Sequence, residues 1–308
     1  MSTFKPQKIL FIGESPMLLN CILYTAKFFK GITVITKDLK IKKEIPKKII
    51  IKSNINDINI NEFDYLFSVM NKEIIKKEII SNKDIVCLNF HDAYLPNYGG
   101  IFTSTWSILN GESHHGASWH KMTTKLDRGD ILLRTSFKIN QDDTALIVDN
   151  NSIMVGFFLF QKIINKINER KTLKFYKQNK RKFKYFGYNA RLKIPNYGFI
   201  NFSDKLDNIL KLIRSLTFSP QKNRGICRLK LFTNKGILII KRIKLFNNKV
   251  NYQDYKKTIQ VKNGFFTVKK NDKYINFLLE KKNNEKIRIN IFKKTKLKKY
   301  IDNGLKYD

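Results

Sequence analysis

Residues 8 to 90 alternate short apolar runs with segments of helical spacing, and this alternation constrains the fold more than any other feature. Lys8–Ile12 (KILFI), Ile32–Thr36 (ITVIT), Ile49–Ile51, Tyr65–Met70 (YLFSVM) and Asp84–Phe90 (DIVCLNF) read as strands. MLLNCILYTAKFF, after Pro16, and KEIIKKEII, at Lys72–Ile80, place apolar residues at helical intervals. Alternating elements with short connections predict an α/β fold, a mostly parallel sheet covered by helices on both faces. Ligands of such sheets bind beyond the carboxyl ends of the strands.

The loop after Phe90 lies at such an end. HDAYLPNYGGIFTSTWSILNG gathers His, Asp, Pro and paired glycines ahead of a helix expected over about Thr103–Leu109. Two extended segments, Gly116–Thr124 and Ile131–Ile139, flank the turn LDRGD, and a helix from about Asp143 to Glu169 closes the domain. All four histidines, His91, His114, His115 and His120, fall in this stretch beside Asn89, Asp92 and Asp127. A metal site would need spacings such as H-x-x-x-H or His with Cys, which are absent, and the glycine-bounded His114 and His115 are expected to be solvated. No metal is therefore expected. Proton chemistry is the alternative: strand alternation puts Asn89 and His91 on one face, where an amide donor and an imidazole can share one reacting centre. Asp127 could orient His91 or relay its proton. The spacing fits equally a turn-capping Asn89 and a satisfied loop histidine, so the residues alone leave both readings open. The G-x-G-x-x-G fingerprint, the P-loop and the G-x-S-x-G elbow are all missing, which removes kinase, nucleotide hydrolase and serine-hydrolase readings.

Charge divides the 308 residues unequally. Residues 1–150 hold 20 Lys and Arg against 16 Asp and Glu, while residues 151–308 hold 40 against 9. The net +31 of the second half predicts an anionic partner, nucleic acid first. AT-rich codon usage competes with that reading, but it would inflate both halves. Lys171–Lys193 is basic and aromatic without clear period and reads as a linker, with Tyr176, Phe183 and Tyr185 as candidates to stack on nucleotide bases. Ser203 is placed to cap the helix DKLDNILKLIRSL, and short β runs beyond Pro220 argue for a small antiparallel barrel or curled sheet. Cys21, Cys87 and Cys227 form no C-x-x-C pair, and neither a secretory h-region nor an 18-residue apolar run occurs. A soluble, cytoplasmic protein without membrane contact is expected, as a monomer.

The stretch LNFHDAYLPNYGGIFTSTWSILNGESHHGASWHKMTTKLDRGDIL holds N-x-H, Leu-Pro, an N-G-E helix end, a G-x-[ST]-x-H strand and an L-D-x-G turn in one order. It resembles the signature of the 10-formyltetrahydrofolate-dependent formyltransferases, whose members act on methionyl-tRNA, glycinamide ribonucleotide and sugar nucleotides. The resemblance implies a Rossmann-like formyltransferase domain over residues 1–175, a basic linker over 176–198 and a β-rich, OB-like barrel domain over 199–308. It implies catalytic roles for Asn89, His91 and Asp127, with His120 behind them. Folate contacts are implied for Ala93, Tyr94, Leu95 and Pro96, and for Gly129 and Asp130 in the turn. The implied reaction moves a formyl group from 10-formyltetrahydrofolate to a primary amine, first the α-amino group of methionyl-tRNA bound through the basic half. A nucleotide-linked amino sugar and a carrier-bound aminoacyl group are the alternatives. Ala93-Tyr94, where the tRNA enzymes carry Ser-Leu, bears on the acceptor and not on the reaction.

Overall fold

The computed structural model describes residues 7–179, 185–186, 193–217, 227–246, 248–281 and 283–291. In chain order the first elements are β1 (Lys8–Gly13), α1 (Pro16–Thr25), β2 (Gly31–Ile35), α2 (Leu39–Glu44), β3 (Ile50–Lys52), β4 (Tyr65–Val69), α3 (Lys77–Ile80) and β5 (Val86–His91). Then come β6 (Gly99–Gly100), α4 (Thr103–Leu109), β7 (His114–Lys121), β8 (Ile131–Lys138), α5 (Ala145–Asn168) and β9 (Tyr185–Phe186). Seven of these strands form one sheet in the order β3-β2-β1-β4-β5-β7-β8. Its first five strands are parallel, and the pairings β5–β7 and β7–β8 are antiparallel. The mostly parallel α/β sheet read from the sequence is the observed one.

Local chemistry explains the element ends. Ser15 caps α1 by accepting from the Leu18 N–H at 3.2 Å, and Pro16 occupies the first turn, where its missing N–H costs nothing. The helix expected over Lys72–Ile80 shrinks to α3. Asn71 explains the loss: it donates to the Glu73 carbonyl and accepts from the Glu73 N–H, a local turn that competes with helix formation. β7 begins earlier than expected, so His114 and His115 are strand residues. His115 is buried, with Nε2 2.8 Å from the Asp92 carbonyl, which corrects its expected solvation.

One face of the sheet packs aromatics against α5. Phe67 stands 5.4 Å from Phe11, 5.2 Å from Phe160 and 5.7 Å from Trp119, ring centre to ring centre, and all four are fully buried. Such pairs add about 0.5–1.5 kcal/mol each beyond their burial. Gly156 of α5 lets Phe90 approach: a Cβ there would meet the Phe90 ring at 2.1 Å, and the Gly156 carbonyl accepts from the Trp119 indole at 2.9 Å.

The chain divides into two compact units, one of Met1–Thr103, Ser113–Ile139 and Asp149–Gly187, the other of Ser104–Glu112, Asn140–Val148 and Tyr188–Asp308. The second contains α6 (Leu206–Leu216), β10 (Lys230–Thr233), β11 (Gly236–Phe246), β12 (Ile259–Val261), β13 (Phe265–Lys270), β14 (Lys273–Leu279) and β15 (Glu285–Ile287). Its strands form an antiparallel sheet, β10-β11-β14-β13, and the pair β12-β15. Ser203 does not cap α6; Lys205 precedes the helix and no side chain caps it. Segments from the first half join this unit by hydrogen bonds to α6 and the residue after it: Thr105 Oγ1 donates to the Ser215 carbonyl, Arg214 to that of Asp143, and the Leu146 N–H to that of Thr217.

Candidate active site

Strand register assembles the site. Ser68 of β4 pairs with Asn89 of β5, and Asn89 pairs with His120 of β7. Directly paired residues project to the same face, so a hydroxyl, an amide and an imidazole stand in one row. Ser68 Oγ donates to Asn89 Oδ1 at 2.8 Å, Asn89 Nδ2 donates to His120 Nε2 at 3.2 Å, and His120 Nδ1 donates to the Lys121 carbonyl at 2.8 Å. With His120 neutral and the Asn89 amide in this orientation, every proton of the row has a place. A carbonyl only accepts, so His120 carries its proton on Nδ1 and offers the Nε2 lone pair to Asn89. One Nδ2 hydrogen of Asn89 serves this row, and a ligand oxygen can take the other.

His91 lies two residues along β5, on the same face. Its Nε2 donates to the Tyr98 carbonyl at 2.8 Å, which leaves Nδ1 as the working nitrogen. Nδ1 faces Asp127 Oδ1 at 3.6 Å and Asp92 Oδ1 at 3.9 Å. Asp127 reaches this position from a turn closed by the Arg128 N–H on the Lys125 carbonyl, and its φ is 56°. That left-handed backbone costs a non-glycine residue about 1–2 kcal/mol. The turn also needs Gly129, where a Cβ would sit 1.7 Å from the Lys121 carbonyl oxygen.

The Asp127 carboxylate is held between two imidazoles. Oδ1 is 3.6 Å from His120 Nε2 as well as from His91, and Oδ2 accepts from the Gly100 N–H at 2.7 Å. Burial pushes the carboxyl upward, but the positive charge that His91 and His120 bring when protonated, with the Gly100 N–H, outweighs it and holds Asp127 well below the usual carboxylate range. It is an ionised, weakly basic group. A carboxylate of that kind is better at stabilising positive charge than at keeping a proton.

Thus Asn89, His91, His120 and Asp127, all expected from sequence, stand together. Ala93 to Pro96 form the neighbouring loop. Ser118 Oγ pins it by donating to the Ala93 carbonyl at 2.7 Å and accepting from the Leu95 N–H at 3.0 Å, and Arg134 donates to the Leu95 carbonyl. Ala93 and Leu95 are fully buried, while Tyr94 lies under the Arg134 guanidinium, 4.3 Å from ring centre to Cζ. Tyr94 and Pro96 line a cavity of about 320 Å³ with Asn97, Arg134, Lys177, Gln178 and Asn179. The Gly129 carbonyl accepts from Gln178 and the Asp130 carbonyl from the Lys121 N–H. The sequence reading missed Ser68, Gly100 and Gln178. Ser68 gave a faint signal as a hydroxyl within an apolar strand and Gly100 as one of the paired glycines of the loop, while Gln178 gave none. Tyr176 is exposed, and Phe183 and the Tyr185 side chain lie outside the described residues. Among the described residues no three His, Cys, Asp or Glu side chains are grouped to hold a metal ion, and no helix is long and apolar enough to cross a membrane.

Part of the chain matches a known family. Residues 34–153 match the family described as Formyl transferase. The bifunctional polymyxin resistance protein ArnA of Wigglesworthia glossinidia brevipalpis is 26% identical over 71% of this chain and 32% of its own length. Methionyl-tRNA formyltransferase of Clostridium acetobutylicum is 31% identical over 60% of this chain and 59% of its own. The chain thus spans about a third of the first relative and three-fifths of the second. Among solved structures, the sugar 3N-formyl transferase WlaRD, crystallised in the presence of dTDP and 5-N-formyl-THF, aligns with a TM-score of 0.67 at 25% identity, over 91% of this chain and all of the other.

Proposed function

We propose, from the match of residues 34–153 to the formyl transferase family, that this chain is a folate-dependent N-formyltransferase acting on a primary amine. The single observation that carries the reading is the hydrogen-bonded row Ser68–Asn89–His120 closing on His91 and Asp127. When bound, 10-formyltetrahydrofolate would supply a formyl group already activated for transfer, so the protein needs no nucleophile of its own. The residues fit such a donor: an Asn89 N–H, and a protonated His91 Nδ1, can bind the oxygen on which negative charge develops. Asp127 faces the positive charge that develops on the attacking amine and passes its proton onward. The Ala93–Pro96 loop and the turn carrying Gly129 and Asp130 are the proposed contacts to folate.

Two acceptors are each favoured by a separate observation. Methionyl-tRNA is favoured by the charge of the second half and by one face of the β10-β11-β14-β13 sheet. There Arg242, Lys244 and Phe246 alternate along β11 with inward Ile243 and Leu245, and Lys269 Nζ lies 5.7 Å from the Tyr252 ring and 5.3 Å from that of Tyr274. Cations among aromatic rings suit phosphates and unstacked bases. A nucleotide-linked amino sugar is favoured by the full-length likeness to WlaRD. The protein is to be incubated with 10-formyltetrahydrofolate and methionyl-tRNA, an amino-sugar nucleotide or a carrier-bound aminoacyl group in turn, following tetrahydrofolate release and the formylated product. Turnover with the tRNA alone, with binding that weakens steeply with salt, fixes the first acceptor; turnover with the sugar alone fixes the second. No turnover with any of them refutes the reaction.

A further inference from the structure

Asp127 is held through its backbone as well as through its carboxylate. Gln178, in the extended segment after α5, donates from Nε2 to the Asp127 carbonyl at 2.8 Å and to the Gly129 carbonyl at 2.7 Å. Two carbonyl acceptors fix which end of the amide is nitrogen. These carbonyls bracket Arg128 in the turn where Asp127 takes its left-handed φ of 56°. The segment bearing Gln178 is itself anchored: Tyr176 and Ile131 exchange both backbone hydrogen bonds at 2.8 Å. Further along, β9 pairs with β6, whose Gly100 N–H binds Asp127 Oδ2. One stretch of chain therefore touches both the turn that carries Asp127 and the strand that binds its carboxylate. Gln178 Oε1 is buried and has no hydrogen-bond partner among the described residues. A residue that only filled this space would do better without a stranded carbonyl, so the NH₂ end is what the position uses.

We propose that Gln178 is a positioning residue for the transfer reaction, clamping the Asp127 and Gly129 carbonyls so that the Asp127 carboxylate stays 3.6 Å from both His91 Nδ1 and His120 Nε2. The inference rests on the reading that gives Asp127 a part in the transfer. A turn released by Gln178 relaxes, and the carboxylate leaves the imidazoles.

The test compares Q178L, Q178E and Asp127→Asn with the wild-type chain, using 10-formyltetrahydrofolate and whichever acceptor turns over. Q178L removes both donors at nearly constant volume and is expected to lose about ten- to hundredfold in kcat, with KM for the formyl donor within about twofold, as for a misplaced reacting group. Q178E, when ionised, turns an oxygen toward two carbonyls; when protonated it regains a donor. Its activity relative to Q178L is expected to rise as pH falls from about 8 to about 5.5, toward the range where Glu takes up a proton. Q178L within about twofold of wild type, alongside an inactive Asp127→Asn, overturns the clamp and leaves the site reading intact. A fully active Asp127→Asn overturns both. A loss that tracks the unfolded fraction in thermal melts, without pH-dependent recovery in Q178E, makes Gln178 a stabilising residue only and also overturns the clamp.

Discussion

One face of β4, β5 and β7 carries Ser68, Asn89, His91 and His120; the opposite face carries Phe67, Phe90 and Trp119. The same consecutive residues supply both, because each step along a strand reverses the side-chain direction. The polar face works by direction: each proton has an assigned donor and acceptor, and the row fails if one group rotates. The apolar face works by volume: its rings interlock, and its indole N–H needs a single partner, the Gly156 carbonyl. The two faces should therefore fail differently, one losing chiefly rate and the other chiefly stability.

The sharpest way to break the comparison is Asp127→Asn, which keeps the shape and removes the charge. A loss of about 10²–10⁴ in kcat is expected, read from steady-state kinetics near neutral pH. On the apolar face, Trp119→Ala should cost about 3–5 kcal/mol in unfolding free energy, read from denaturant titration. Gly156→Ala drives a methyl into the Phe90 ring and should cost about 1–3 kcal/mol by the same measurement, with kcat retained in the folded fraction. Ser68→Ala leaves Asn89 in place but frees its amide to flip; about tenfold in kcat, or about 1.4 kcal/mol, is the expected size. The smallest effect is one of pH. Folding holds the Asp127 carboxyl below its ordinary range, so the unfolded chain takes up that proton first as pH falls. The stability that Asp127 contributes is full above about pH 4, where the unfolded carboxylate is ionised, and it is lost as pH falls through the lower folded value. Unfolding curves of wild type and Asp127→Asn should therefore converge on acidification. A gap that widens instead would contradict the depressed carboxyl.

Most of the sheet was legible because its strands are locally encoded. Runs such as KILFI and DIVCLNF announce burial on both faces, and the N-x-H, G-x-S-x-H and L-D-R-G patterns place Asn89, His91, His120 and Asp127 within one short stretch. Failures came where a side chain competed with the local pattern or where a partner was distant. Asn71 turned part of a helix-spaced segment into a loop, and earlier pairing of β7 carried His115 from an expected turn into the interior. Ser68 and Gln178 reach the site only through strand register and a returning segment, 21 residues before Asn89 and 51 after Asp127. Neither distance leaves a periodic trace. The β-rich character of the second half was also legible, as short runs such as GILIIKRIKLF, while the pairing order β10-β11-β14-β13 was not.

The exchange of hydrogen bonds between Ile131 and Tyr176 has a consequence for solubility. β8 is the terminal strand of the seven-stranded sheet, and among the described residues it is the returning segment at Tyr176 that bonds to its outer side. A bare strand margin is a template for other chains, and the start of β8, Ile131–Leu133, is apolar. A fragment ending near Arg170 would carry every motif residue and still leave this margin unprotected. It should self-associate through β8 more readily than the longer chain, so trimming the protein to its motif-bearing part would yield a sticky fragment.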